Sequence, residues 1–194
     1  KVREGLEEIA AEGARAGEII RSIQSLTRKQ DPTFSRIDMH SLIHHIITLS
    51  RSELEQRHIS VDYLLNASDS FITGDSVQIQ QVLLNLVMNA VEAMAEVKER
   101  ASTITLSTGN ADGKVIVEIA DTGSGIEPER LEQIFDSFYS TKPQGMGMGL
   151  TISASIIERH CGKLSARRRE PHGTVFAFAL PLAAQRSEER RVGE

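Results

Sequence analysis

The chain carries a single cysteine, Cys161. That excludes an internal disulfide and fits a reducing compartment. No apolar run approaches the length of a membrane span, and no signal-peptide pattern opens the sequence. An excess of basic charge is missing too: the formal net charge is -5. Its compact basic cluster, Arg167 to Arg169, reads as a solvated edge near a loop. Nucleic acid is therefore not an expected partner, because that role needs a basic face. What remains is the composition of a soluble globular protein, 40% apolar and 25% charged over 194 residues. Such a length holds one ordinary domain plus an appendage. The first residue is Lys1 rather than methionine, so a piece of a longer cytoplasmic protein is expected.

Residues 1–30 read as one helix. Leu6, Ile9, Gly13, Ala16, Ile20, Ile23 and Thr27 follow the alternating three- and four-residue spacing of a heptad seam. Interior glycines weaken a lone helix by about 1 kcal/mol each but allow close packing against partner helices. Asp31-Pro32 ends it, since the residue before proline is pushed out of the α region.

Beyond this boundary, helical and strand periods are mixed. Helices are expected over 39–56, 76–95 and 149–160. The second carries the widest apolar stripe: Ile79, Val82, Leu83, Leu86, Val87, Ala90, Val91 and Met94. Strands are expected over 59–65, with a short partner at Phe71-Ile72, and as hairpins over 103–107 with 115–120 and 163–168 with 174–180. The sum is an α+β two-layer sandwich, a sheet covered by helices on one face. The last residues, 185–194, have little to bury and are expected to be disordered.

Four segments carry chemistry. Asn85 and Asn89 sit four apart on the strongest helix and so share a face. Two buried amides need partners. They either cap neighbouring backbone or offer a carbonyl oxygen to Mg2+, a hard cation. Asp121-Thr122-Gly123-Ser124-Gly125-Ile126 follows a strand. Its carboxylate can accept from a ligand's amino group, such as that of adenine, with close backbone approach at the glycines; a plain Asp-Gly turn is the other reading. Ile134-Phe135 and Phe138 anchor a polar stretch ending at Lys142. Gly145-Met146-Gly147-Met148-Gly149-Leu150 opens a helix, where backbone N–H groups and the dipole suit an anion. It is neither a dinucleotide fingerprint, lacking the βαβ unit, nor a P-loop, lacking Gly-Lys-Ser/Thr.

Together, in this order and spacing, the four resemble the N box, first glycine box, F box and second glycine box of the nucleotide-binding fold shared by histidine kinases, gyrase-type ATPases, Hsp90 and MutL proteins. Gly173-Thr174 to Pro181 is similar to that fold's closing strand. The resemblance covers about residues 35–182. It implies ATP as ligand, with Mg2+ on Asn89 and Asn85 supporting the phosphate region. It implies Asp121 on the adenine amino group, with Gly123, Gly125 and Thr174 around the base. Gly145, Gly147 and Gly149 would shape the phosphate-facing lid, Leu150 would begin the helix behind it, and Lys142 would reach the γ-phosphate. Glu92 departs from the basic residue often found there, and Cys161 from the usual glycine.

Within that family, hydrolases generally place a glutamate four residues before the magnesium-binding asparagine. Asn85 stands there instead, and an amide is no general base. The chain therefore looks like the catalytic region of a sensor histidine kinase, at 35–184, with residues 1–34 as the second helix of a dimerisation hairpin. The resemblance implies a homodimer in the full-length protein and a response-regulator receiver domain as partner, with a parent protein that can be membrane-anchored. None of the six histidines is followed by an acidic residue, so the acceptor histidine is expected outside this sequence. An anti-sigma-type serine kinase, a non-catalytic nucleotide-binding module and an ATP hydrolase are the alternatives.

Overall fold

The computed structural model describes residues 33–184 except 96, 98, 99, 132, 137, 138 and 140–146. The heptad helix, the tail, Lys142 and Gly145 lie outside the described residues.

Asp38 ends strand β1 (Ser35–Asp38) and begins helix α1 (Met39–Gln56), its carboxylate accepting from the His40 N–H. Burial raises the Asp38 carboxyl. Bonds from Ser70, Ser41 and the His40 N–H, with the His40 charge, outweigh that and hold it below its ordinary range. Strands β2 (Ser60–Leu65) and β3 (Phe71–Gly74) follow. Helix α2 (Ser76–Met94) is capped by Asp75, which accepts from Val77 and Gln78. Its eight predicted stripe residues are all buried, and each of them except Ala90 stabilises the fold by about 1.5–3 kcal/mol relative to exposure. Then come β4 (Thr103–Ala111), β5 (Lys114–Ala120), helix α3 (Gly149–Arg159), β6 (Lys163–Arg168) and β7 (Thr174–Pro181).

Five strands form one mixed sheet in the order β2-β4-β5-β7-β6. The β2–β4 pair is parallel, and α2 lies in the chain between its strands; the other three pairs are antiparallel. Side chains alternate across the sheet. Ile104, Leu106, Val117, Ile119, Phe178 and Leu180 are buried toward the helices. Thr105, Ser107, Glu118 and Ala177 share the opposite, half-exposed face. The result is the expected two-layer α+β sandwich.

One strand pairing differs from expectation. Phe71–Gly74 pairs with Ser35–Asp38 in a separate two-stranded sheet, not with Ser60–Leu65. The two-residue apolar signal at Phe71-Ile72 could not specify a partner. Burial of Ile37 opposite Ile72 is what selects this one.

Among the described residues, no helix is long and apolar enough to cross a membrane.

Candidate functional site

Helix α2 is the floor of the site. Asn85, Asn89 and Ala93 recur every four residues and so form one stripe, about 12 Å from end to end. At one end, a Cβ placed on Gly149 would come 2.6 Å from Asn85 Oδ1. The Asn85 amide donates to Ser153 Oγ on α3 at 3.0 Å. At the other end, a Cβ on Gly123 would come 2.6 Å from the Ala93 carbonyl oxygen. The Ser124 N–H donates to that same carbonyl at 3.1 Å, which satisfies one of the orphan acceptors at the helix end. The stripe therefore joins the glycine-rich start of α3 to the Asp121 loop.

Asn89 lies between these two contacts. Its carboxamide is half-buried, and no described residue hydrogen-bonds it. The two readings of the asparagine pair thus separate. Asn85 is tied down, to a side chain rather than to backbone. Asn89 keeps an oxygen available for a cation, which suits Mg2+.

Asp121 is 1% exposed. Its Oδ1 accepts from the Gly123 N–H at 2.7 Å and the Thr174 N–H at 3.3 Å. No described residue donates to Oδ2. Burial pushes the carboxyl above its ordinary range, opposed by those two N–H groups and by the charge of Arg169. Thr174 is itself buried, and its carbonyl accepts from the Asp121 N–H at 2.9 Å. Gly125 takes φ +78° and faces the Gly173 carbonyl. The base-side residues Asp121, Gly123, Gly125 and Thr174 are thus brought together.

The phosphate side is described in part. Gly147 takes φ +65°, a backbone shape that favours glycine. Met148 is the N-cap of α3 and gives no side-chain cap bond. In α1 and α2 an aspartate fills that role; among the described residues no side chain does so for α3, whose first N–H groups have no intrahelical acceptor. Ile134 is buried, Phe135 packs against the core, and the Phe135 carbonyl accepts from the Thr151 hydroxyl at 3.0 Å. Phe135, one anchor of the predicted lid, is thereby tied to α3, while Phe138 lies outside the described residues.

Sequence reasoning gave no site role to Ser153 or Gly173. Ser153 is one turn beyond Gly149 and faces Asn85, a pairing visible only once α2 and α3 meet. Gly173 enters the sequence reading as the start of the closing strand. In the structure its φ is +102°, and a Cβ there would lie 2.0 Å from the Asp121 carbonyl oxygen.

Comparison with known proteins adds to this geometry. The family described as histidine kinase-, DNA gyrase B-, and HSP90-like ATPase matches residues 74–184. The sensor protein FixL of Bradyrhizobium diazoefficiens is 36% identical over 94% of this chain, which spans 36% of FixL. The catalytic domain of histidine kinase ThkA is 34% identical, covering 76% of this chain and 95% of that one, with a TM-score of 0.69. A structure of ThkA in complex with response regulator protein TrrA matches 94% of this chain and 52% of that one, at 28% identity and a TM-score of 0.79.

Proposed function

The chain belongs to the histidine kinase-, DNA gyrase B- and HSP90-like ATPase family, and among its members to the catalytic domains of histidine kinases; on that premise we propose that it binds ATP with Mg2+ and hands the γ-phosphate to a histidine of its parent protein. The chain spans about a third of FixL, so autophosphorylation, the homodimer and a response-regulator partner belong to this proposal. The observation that carries it is the single α2 stripe linking the Asp121 loop to the start of α3, with Asn89 between them, its carboxamide bonded by no described residue.

The residues fit the group they would hold. Asp121 Oδ2 accepts the amino group of the base, and Gly123, Gly125 and Thr174 line that end. The uncapped N–H groups at Gly149 and Leu150 meet phosphate oxygens, with Gly147 turning the chain toward them. Gly145 and Lys142 are assigned to the same lid, Lys142 as a γ-phosphate contact. The Asn89 carbonyl holds Mg2+, which when bound neutralises charge on the phosphates. Catalysis then rests on positioning and charge stabilisation.

Transfer to a histidine is favoured over hydrolysis by Asn85. Its carboxamide donates to Ser153 and cannot take a proton from water. Three of the chain's six histidines are already engaged. His160 is buried and doubly hydrogen-bonded, His40 pairs with Thr108, and His44 lies against Tyr63.

The test is calorimetric titration of the chain with a non-hydrolysable ATP analogue, with and without Mg2+. Magnesium-dependent binding by the wild type, lost in Asn89→Ala while the circular dichroism spectrum is kept, is expected. Unchanged magnesium dependence in that variant would remove Asn89 from the site. Rapid phosphate release by the chain alone would replace transfer with hydrolysis.

A further inference from the structure

Where β5 ends, the chain turns away from the sheet, and the carbonyl groups of Asp121, Thr122 and Gly123 leave the strand ladder. Buried or half-buried carbonyls need donors. Two arginines from separate turns supply them. Arg100, on the α2–β4 connection, donates from Nε to the Thr122 carbonyl at 2.8 Å and from Nη2 to the Gly123 carbonyl at 2.7 Å. Arg169, at the β6–β7 turn, donates from Nη1 to the Asp121 carbonyl at 3.1 Å. Each arginine is itself seated. The Arg169 N–H donates to the Gly173 carbonyl at 3.0 Å. Just beyond Arg100, the Thr122 hydroxyl donates to the Ala101 carbonyl and accepts from the Thr103 N–H.

A guanidinium is a rigid planar fork. Two bonds from one fork to successive carbonyls fix the Thr122-Gly123 peptide plane, and with it the Gly123 N–H that holds Asp121 Oδ1. The third bond places a full positive charge beside the buried carboxylate. From this arrangement we infer that Arg100 and Arg169 are positioning residues of the nucleotide site, Arg100 fixing the loop and Arg169 keeping Asp121 a carboxylate that selects a base bearing an exocyclic amino group. This rests on the assignment of Asp121 to the base. A carboxylate accepts from the amino group of adenine and repels the oxygen that replaces it in hypoxanthine. A protonated Asp121 would donate to that oxygen instead, so the charge of Arg169 sets which base is preferred.

The experiment is titration of the wild type, Arg169→Gln, Arg169→Lys and Arg100→Gln with ATP and with ITP, each in Mg2+ across the acid-to-neutral range. Arg169→Gln is expected to weaken ATP binding about tenfold, as loss of one charge-assisted bond does. It should weaken ITP binding much less, narrowing the ATP preference, and move the acid limb of ATP binding to higher pH. Arg169→Lys should restore the limb, because it retains the charge, and it carries the test if the glutamine variant does not fold. Arg100→Gln should weaken both nucleotides alike and leave the limb in place. If the wild type prefers ATP while Arg169→Gln keeps that ratio and that limb, the inference is overturned alone. If the wild type does not prefer ATP over ITP, the base assignment of Asp121 falls and takes the inference with it.

Discussion

Gly173 and Asp121 are in backbone contact: a Cβ on Gly173 would sit 2.0 Å from the Asp121 carbonyl oxygen, and Gly173 takes φ +102°. No side chain fits, and no L-residue adopts that backbone without strain. The first residue of β7, Thr174, is thereby held against Asp121 Oδ1.

Gly173→Ala should therefore cost more than about 1 kcal/mol of stability and weaken nucleotide binding at the same time. Urea denaturation and calorimetry on the same sample check both. A variant with the wild-type midpoint would mean that the turn reorganises freely.

Asp121 gives a pH dependence with a definite sign. Its carboxyl is held above the ordinary range, so the folded chain binds that proton more tightly than the unfolded one. The stability it contributes is full below the unfolded value and is lost as pH rises through the folded value. Asp121→Asn removes this term and keeps an oxygen for the Gly123 and Thr174 N–H groups. Relative to wild type, its thermal stability should gain as pH rises to neutral. Its nucleotide affinity should fall at least about tenfold, since a donor then faces the base amino group.

Gly149→Ala separates stability from binding. Gly149 is the first residue of α3, where alanine is the better helix former by up to about 1 kcal/mol. The new methyl would meet Asn85 Oδ1 at 2.6 Å and push that carboxamide aside. The helix gain and the loss of the Asn85–Ser153 bond nearly offset each other, so the expected outcome is a melting temperature close to wild type with clearly weaker magnesium-dependent nucleotide binding. Equal affinity would show that Asn85 has room to move.

Cys161 follows the C-terminal end of α3 with φ +58°, the left-handed shape in which helices commonly end on glycine. Its N–H donates to the Glu158 carbonyl, so the turn is formed despite the strain. Cys161→Gly should stabilise the fold by about 1 kcal/mol without altering nucleotide affinity, because the residue lies at the end of α3 away from Gly149. A lower urea midpoint would contradict this.

Local pattern determined much of this protein. The 3.6-residue stripe of α2 and the period-two alternation of the β4–β5 and β6–β7 hairpins were legible because those periods are set by backbone geometry alone. Motif order pointed to Asn85, Asn89, Asp121 and the glycine-rich start of α3 because their spacing along the chain is itself the pattern. Only tertiary structure decided which strand meets Phe71–Gly74, which of two asparagines is tied to Ser153, and which donors reach the Asp121 loop. Those outcomes depend on contacts between residues far apart in sequence. Asn85 meets Ser153 across 68 positions and Arg169 meets Asp121 across 48. No local period encodes such a meeting, because it exists only once the helix layer and the sheet have packed together.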